Sequence, residues 1–106
     1  MHLYQKEFGD KFELGFNLTD YSFLTDRSWH NDVSPSFYFK KGNHFYVLWV
    51  ERPNVDDREN DSDARYTIML AENEGDENAP ELTSTEVVFE TEHAIDLKPF
   101  FDAKEH

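Results

Sequence analysis

The sequence predicts an α+β domain, in which an antiparallel sheet of five to six strands carries a C-terminal helix packed on one face. Three observations predict this class: a surplus of aromatic residues, short segments of alternating apolar and polar residues, and an apolar stripe at helical spacing near the C-terminus. Ten Phe, five Tyr and two Trp stand against four Gly and four Pro, and aromatic side chains favour the pleated surface of a sheet. The 106 residues are enough for a single domain, residues 1–106.

The N-terminal part of the chain predicts a hairpin. Apolar residues occupy every second position of residues 12–18, which is the pattern of a half-buried strand. Gly9-Asp10 is a turn signal before that segment, so residues 3–8 are expected to pair back as the other arm. Residues 19–35 break the alternation and are expected to be mostly loop, with a short helical turn at their start.

The clearest hairpin lies in the middle of the sequence. Residues 36–40 and 44–52 flank the turn Lys41-Gly42-Asn43. In the second arm, apolar side chains occupy both alternating sets of positions, so we expect both faces of this strand to be buried and the strand to be central. Pro53 ends the strand, because proline cannot donate a hydrogen bond to a sheet ladder.

Two further strands are predicted, each preceded by an acidic connection. Residues 65–71 alternate apolar and polar side chains, and residues 85–90 form the last strand. The connections are residues 54–64 and residues 72–81. They flank the strand at residues 65–71, so they are expected to emerge at its opposite ends, roughly 23 Å apart.

A helix is predicted at the C-terminus. Thr91 is expected to cap a helix that begins at Glu92, because an acidic first turn suits the helix dipole. Pro99 is expected to kink or restart this helix, since the residue before a proline is pushed away from helical backbone angles. One apolar stripe is expected to pack the helix on the sheet; it consists of Ala94, Leu97 and Phe101.

The negative charge of the chain bounds its function. Twenty-three Asp and Glu against ten Lys and Arg give a formal net charge of −13, which disfavours direct binding to nucleic acid or to an anionic membrane. The charge exceeds the magnitude of about 2 to 8 that keeps a small domain in solution. The negative charge therefore favours a basic partner. An equal alternative is that the charge serves solubility alone. No apolar run resembles a signal peptide or a membrane span, so a cytoplasmic protein is expected.

The residue types that carry catalysis or bind metals form no recognisable pattern. The chain has no Cys, which excludes disulfides, thiolate metal sites and thiol nucleophiles. A calcium-binding loop counted from Asp57 has Ser62 and Ile68 at the positions where Gly and Glu are required. The histidines are scattered without metal-ligand spacing: His2, His30, His44, His93 and His106. The sequence therefore predicts a protein that is not an enzyme and has no cofactor or metal.

Two groups of residues are candidates for contact with a basic protein. In the loop at residues 19–35, aromatic residues that commonly anchor interfaces stand beside acids; this group is Tyr21, Asp26, Trp29 and Asp32. The second group lies in the connection at residues 54–64 and comprises Asp56, Asp57, Glu59, Asp61 and Asp63. Packing of the two aromatic residues onto the sheet is the alternative for the first group.

In size, acidity, lack of Cys and α+β layout, the whole chain resembles the small acidic immunity proteins of bacterial toxin–immunity pairs, including those of contact-dependent growth inhibition. The resemblance implies a protein that neutralises a basic, nuclease-type toxin by direct binding, since nucleases present Lys and Arg to phosphates. No motif carries it, so it implies no site residue. Two alternatives stay open: a small accessory or structural domain that self-associates or pairs with a subunit, and an enzyme whose site is assembled only by the fold.

Overall fold

The computed structural model describes residues 2–32, 34–58, 60, 62–76 and 80–102. Within these ranges, five strands form one antiparallel sheet whose spatial order is the chain order; they are β1 (Thr25–Asp26), β2 (Ser36–Lys41), β3 (His44–Val50), β4 (Tyr66–Asn73) and β5 (Leu82–Thr91). Helix α1 (Leu3–Phe8) precedes the sheet and helix α2 (Leu97–Asp102) follows it. The predicted α+β class is confirmed. Neither α-helix could cross a bilayer, since each has six residues, and no other helix in the described ranges could do so.

The central hairpin forms as predicted. Strand β3 lies in the middle of the sheet between β2 and β4, and its two faces are both apolar. Val47 on one face and Leu48 on the other are fully buried. Gly42 in the β2–β3 turn has a φ of +63°, a backbone angle that glycine adopts without steric cost. The double-sided burial of β3 is therefore the physical reason that its sequence shows no polar face.

The prediction of strands at residues 3–8 and 12–18 is wrong. Residues 3–8 form α1, in which the Gln5 side chain accepts the His2 N–H at 3.0 Å. The helix is also bound to β1, because the Tyr4 N–H donates to Asp26 Oδ2 at 2.7 Å. This contact satisfies one of the N–H groups that a helix start leaves free. A six-residue helix of this kind has no periodicity that the sequence could reveal.

The alternation at residues 12–18 reflects burial and not strand pairing. Leu14 is buried, and the other apolar members of the segment pack against the core. The backbone of the segment bonds side chains instead of a neighbouring strand: the Tyr66 hydroxyl donates to the Leu14 carbonyl at 2.6 Å, and Arg65 Nη2 donates to the Glu13 carbonyl at 2.7 Å. Apolar and polar residues therefore alternate in this segment although its backbone pairs with no described strand.

One face of the sheet, called the core face below, carries the hydrophobic core. Leu14 and Leu97 pack onto it from the segments outside the sheet. Its own buried side chains come from β2, β3 and β4, and they are Phe37, Phe39, Leu48, Val50, Tyr66 and Ile68. These three aromatic rings and three aliphatic side chains are removed from water on folding, and such burial is the main stabilising contribution in a domain of this size.

The C-terminal helix packs on the core face but begins later than predicted, at Leu97 and not at Glu92. The Thr91 side chain does not cap it; its hydroxyl bonds the 3-10 turn that precedes the helix. Pro99 is the third residue of α2, where its missing N–H costs no intrahelical bond. The predicted apolar stripe is confirmed, since all its members join the core: Ala94, Leu97 and Phe101.

The opposite face of the sheet, called the back face below, is only partly covered. Alternation along the strands places Val47, Trp49, Thr67 and Met69 on it. Val47 is fully buried, whereas the other three are half-buried. The back face therefore has room for a surface pocket near its less covered end.

Gly15 provides a test of how the N-terminal segment is held. Its φ is +84°, and a Cβ there would collide with the Tyr66 hydroxyl. Gly9, at a φ of +103°, has open space around it, so Gly9→Ala introduces backbone strain alone, on the order of 1–3 kcal/mol. We expect Gly15→Ala to lower the free energy of unfolding in urea by more than Gly9→Ala does. Equal losses would show that the contact with Tyr66 does not hold the segment.

Candidate functional site

The predicted acidic connection joins β3 to β4 and has a defined shape. The Asn54 side chain accepts the Asp56 N–H at 3.0 Å and thereby caps the 3-10 helix Val55–Asp57. Asp56 and Asp57 are exposed on this turn, and Asp63 is half-buried near the end of the connection. Two other predicted members lie outside the described residues: Glu59 and Asp61.

Arg58 holds this connection together from the inside. Its side chain is 1% exposed, and all five guanidinium N–H groups have an acceptor. Nε, Nη2 and Nη1 donate to the carbonyls of Arg52, Pro53 and Asp63 at 2.8, 3.1 and 2.8 Å. Nη1 and Nη2 also donate to the two carboxylate oxygens of Glu92 at 2.9 and 3.0 Å. Both ends of the connection are therefore bound to one buried cation.

Glu92 joins the connection to the rest of the sheet. Besides its paired bonds with Arg58, its Oε2 accepts the Arg65 N–H at the start of β4 at 2.9 Å. The hydrogen bond from Arg58 holds the pKa of the Glu92 carboxyl below its usual value of 4.5, against the opposing effect of burial. One carboxylate just after β5 thus fixes both the acidic connection and the beginning of β4.

Trp29 lies on the surface. It is 49% exposed, and the ring contact it makes is with His30, whose ring centre lies 4.2 Å away. The Asp32 N–H donates to the Trp29 carbonyl at 2.9 Å, so the two residues share a tight turn. The packing onto the sheet that was the alternative for Trp29 is not observed. An exposed Trp on an ordered turn is the kind of residue that anchors interfaces.

Two other predicted residues of this loop, Asp26 and Tyr21, make contacts within the domain. Asp26 accepts the Tyr4 N–H through Oδ2 at 2.7 Å and the Ser28 N–H through Oδ1 at 3.0 Å. Tyr21 packs edge-on against Phe101 of α2, with ring centres 5.0 Å apart. Both side chains therefore have structural partners, and they do not join Trp29 in one cluster.

The loop and the acidic connection meet at one end of the sheet. Ser34, which follows the Trp29 turn, and Asp63 line the same pocket of about 210 Å³. The Val50 N–H donates to the Pro35 carbonyl at 3.1 Å, which fixes the loop against the end of β3. We call the surface formed here the acidic end; its members are Trp29, Asp32, Asp56, Asp57 and Asp63.

The second acidic connection, predicted at residues 72–81, is residues 74–81 in the structure, because β4 continues to Asn73; it emerges at the end of β4 opposite to the first, as predicted. Its ends are joined by the hydrogen bond from the Glu74 N–H to the Glu81 carbonyl at 2.8 Å. The eight residues of β4, at about 3.3 Å each, separate the two connections by roughly 26 Å. One compact partner would therefore contact one connection and not both.

Glu51 is a site residue that the sequence prediction did not select. It is 6% exposed and lines the 210 Å³ pocket beside Trp49 and Asp63. A signal for it was present, because Glu51 continues the alternation through Val47 and Trp49 that places side chains on the back face. That alternation gave the direction of the side chain, but it could not show that a pocket forms around it.

A larger groove, of about 430 Å³, lies on the other side of the connection beside Asp57. Its walls carry charges of both signs, because Lys11 and Arg52 line it together with Asp10 and Asp57. Mixed charges of this kind attract neither cations nor anions strongly, so the groove adds little to the acidic end.

The described residues contain no group of three His, Asp or Glu side chains that could hold a metal ion. Comparison with protein families, with curated proteins and with solved structures finds no match for the chain. The arrangement is suited to protein contact, since it combines exposed carboxylates, an exposed Trp and an adjoining pocket on a rigid base.

Substitution of Glu92 tests the anchor of the acidic connection. Because its folded-state pKa lies below 4.5, its pair with Arg58 stabilises the fold fully above that pH, and the contribution is lost as the pH falls through the lowered pKa. We expect Glu92→Gln to lower the free energy of unfolding by about 1–2 kcal/mol at neutral pH. The difference in free energy of unfolding between the parent and Glu92→Gln should become smaller below about pH 4. The control is Glu90→Gln, which removes an exposed acid in β5. If the loss of unfolding free energy in Glu92→Gln did not change with pH, the stabilising role of the Arg58–Glu92 pair would be contradicted.

Proposed function

We propose that this chain is an acidic inhibitor of a basic protein, and specifically an immunity protein that neutralises a nuclease-type toxin by direct binding in the cytoplasm. The observation that carries the proposal is the acidic end. Its exposed carboxylates, Asp56 and Asp57, stand on a connection whose two ends are bound to the buried Arg58, and an exposed Trp29 lies at the same end of the sheet. A surface that is ordered before binding loses less conformational entropy on association.

The charge of the chain supports a basic partner. A net charge of −13 repels nucleic acid and attracts a protein that presents Lys and Arg to phosphates. Complementary charge raises the rate of association, and a fast rate suits an inhibitor that must capture a toxin before the toxin reaches its substrate. A nuclease is the class of enzyme whose active surface has this charge by necessity.

The members of the acidic end differ in their expected contributions. Asp56 and Asp57 are exposed at the rim, so they mainly affect the association rate. Trp29 offers a large aromatic surface that becomes buried on binding, and such residues dominate the affinity of interfaces. The contact should therefore combine charge steering by the Asp pair with an anchor at Trp29.

Strand β5 favours a second candidate function, that of an accessory domain that pairs through an exposed strand. It has ten residues and pairs with β4 on one side, and Val87 and Val88 are 48% and 40% exposed. An exposed edge is a template for another strand. Glu86 and Glu90 oppose the pairing of two identical copies. A homo-oligomer that is insensitive to salt would favour this candidate over the inhibitor.

The product of the gene immediately upstream is the first partner to test. We expect the purified product to bind this chain in isothermal titration calorimetry, and its activity on nucleic acid to fall in proportion to the chain added. An upstream product that neither binds the chain nor acts on nucleic acid would remove the support for the immunity proposal.

Charge reversal at the acidic end should weaken this binding. We expect the Asp56→Lys, Asp57→Lys double variant to bind the partner at least tenfold more weakly, because a charge reversal replaces attraction with repulsion at two exposed sites. The matched control is Glu72→Lys, Glu74→Lys, which makes the same change of charge at the opposite end of β4. If both double variants lose the same affinity, the net charge matters and the acidic end is not the contact surface.

The association rate should depend steeply on salt. Exposed charges are screened beyond about 10 Å at 0.1 M ionic strength, so we expect stopped-flow association with the partner to slow by an order of magnitude or more from about 0.05 M to about 0.5 M salt. The dissociation rate should change much less. An association rate that is unchanged by salt would exclude charge steering.

A further inference from the structure

The pocket beside Asp63 is lined by a buried acidic residue, Glu51. Glu51 is 6% exposed, and neither of its carboxylate oxygens accepts a hydrogen bond from a described residue. An ionised carboxylate that is buried without a cation or a donor is energetically unfavourable. By contrast, every N–H of the buried Arg58 guanidinium has an acceptor.

The basic residue nearest in the sheet register does not serve Glu51. The Glu51 N–H donates to the Arg65 carbonyl at 2.7 Å, so the two residues face each other across β3 and β4. The guanidinium of Arg65 is directed to the other face of the sheet, where Nη2 donates to the Glu13 carbonyl at 2.7 Å. Its Cζ lies 5.3 Å from the centre of the Tyr66 ring. The sheet thus holds the neighbouring cation away from the carboxylate.

The walls of the pocket suit a cation. The pocket has a volume of about 210 Å³ and is lined by Glu51, Trp49 and Asp63, together with Ser34, Ala64 and Thr67. The face of an indole attracts a cation by its quadrupole, and Asp63 adds a second carboxyl group. A calcium or magnesium ion would require six or more oxygen ligands, and the described residues offer no group of three acidic or His side chains that could hold a metal ion.

We propose that the Glu51 pocket binds an arginine side chain of the basic partner. The proposal rests on the proposed function: the partner first approaches the acidic end by charge attraction, and the pocket then provides a specific contact for it. A guanidinium donates two parallel N–H bonds to a carboxylate and stacks on an aromatic face, whereas a lysine ammonium does neither. Glu51 lines the pocket and both of its carboxylate oxygens are buried, so the side chain must turn toward the pocket to meet the incoming guanidinium.

A short peptide tests the pocket without the partner. The probe is acetyl-Gly-Arg-Gly-amide, and its neutral counterpart has citrulline in place of arginine. The protein carries Trp29→Phe, so that the remaining indole emission comes from Trp49 in the pocket. We expect a saturable change in emission with the arginine peptide, at least tenfold weaker binding of the citrulline peptide, and weaker binding of a lysine peptide.

Variants of the pocket then identify the carboxylate. Glu51→Gln preserves the shape of the side chain and should weaken binding of the arginine peptide at least tenfold, whereas Glu72→Gln, which removes an exposed acid at the other end of β4, should leave it unchanged. Ala64→Leu fills part of the pocket without altering Glu51 and should also abolish binding. Circular dichroism and thermal unfolding confirm that each variant is folded.

The outcomes separate the pocket from the proposed function. Equal binding of the arginine peptide to the Glu51→Gln and parent proteins, or no saturable binding to the parent, overturns the pocket proposal even if the basic partner binds the acidic end. Loss of peptide binding in Glu51→Gln and in Ala64→Leu, with unchanged binding in Glu72→Gln, supports the pocket. That result stands even if the upstream gene product does not bind, in which case the proposed function fails and the arginine site remains.

Discussion

The bonds of the Arg58 guanidinium are the constraint on which the acidic end depends. One planar group bonds three backbone carbonyls and the Glu92 carboxylate, and these acceptors come from the end of β3, the beginning of β4 and the end of β5. Only arginine has five donors in a fixed plane. Because the charge is buried and fully bonded, the connection cannot rearrange without exposing unpaired donors. The Asp-rich connection is thereby bound, at both of its ends, to the end of the sheet.

The negative surface follows from the excess of Asp and Glu over Lys and Arg, which gives a net charge of −13. Only ten Lys and Arg are present, and several are directed to backbone carbonyls instead of carboxylates. Lys41 Nζ donates to the Phe100 carbonyl at 2.9 Å, and Arg65 donates to Glu13 through the carbonyl and not the side chain. Basic residues bound in this way hold chain segments in place, and these bonds form no ion pair with an acid.

The sequence predicts the parts of the structure that side-chain periodicity determines, and it fails where single contacts decide. The β2–β3 hairpin and the apolar stripe of α2 follow from alternation and helical spacing. The segment around Leu14 alternates because one side is buried, yet its carbonyl is bonded by the Tyr66 hydroxyl and not by a strand. At the site, composition predicted an acidic surface with Trp29. Ser34 and Asp63 line one pocket because the loop crosses the end of the sheet, and no local sequence pattern encodes that crossing.

The contrast between Arg58 and Glu51 indicates which part of the acidic end is structural and which part is free to act. Both residues have ionisable side chains and are nearly inaccessible to water; Glu51 follows β3 directly, and Arg58 follows the 3-10 helix of the acidic connection. Selection for stability alone would pair or remove a buried charge, because an unpaired one lowers stability and an apolar residue in its place does not. Arg58 is fully paired and holds the surface. Glu51 has no hydrogen-bond partner among the described residues and lies beside a pocket that opens at that surface; an unsatisfied buried group at such a position is what a site for a complementary ligand requires. The cost in stability is then recovered in the complex, where the carboxylate gains its cation.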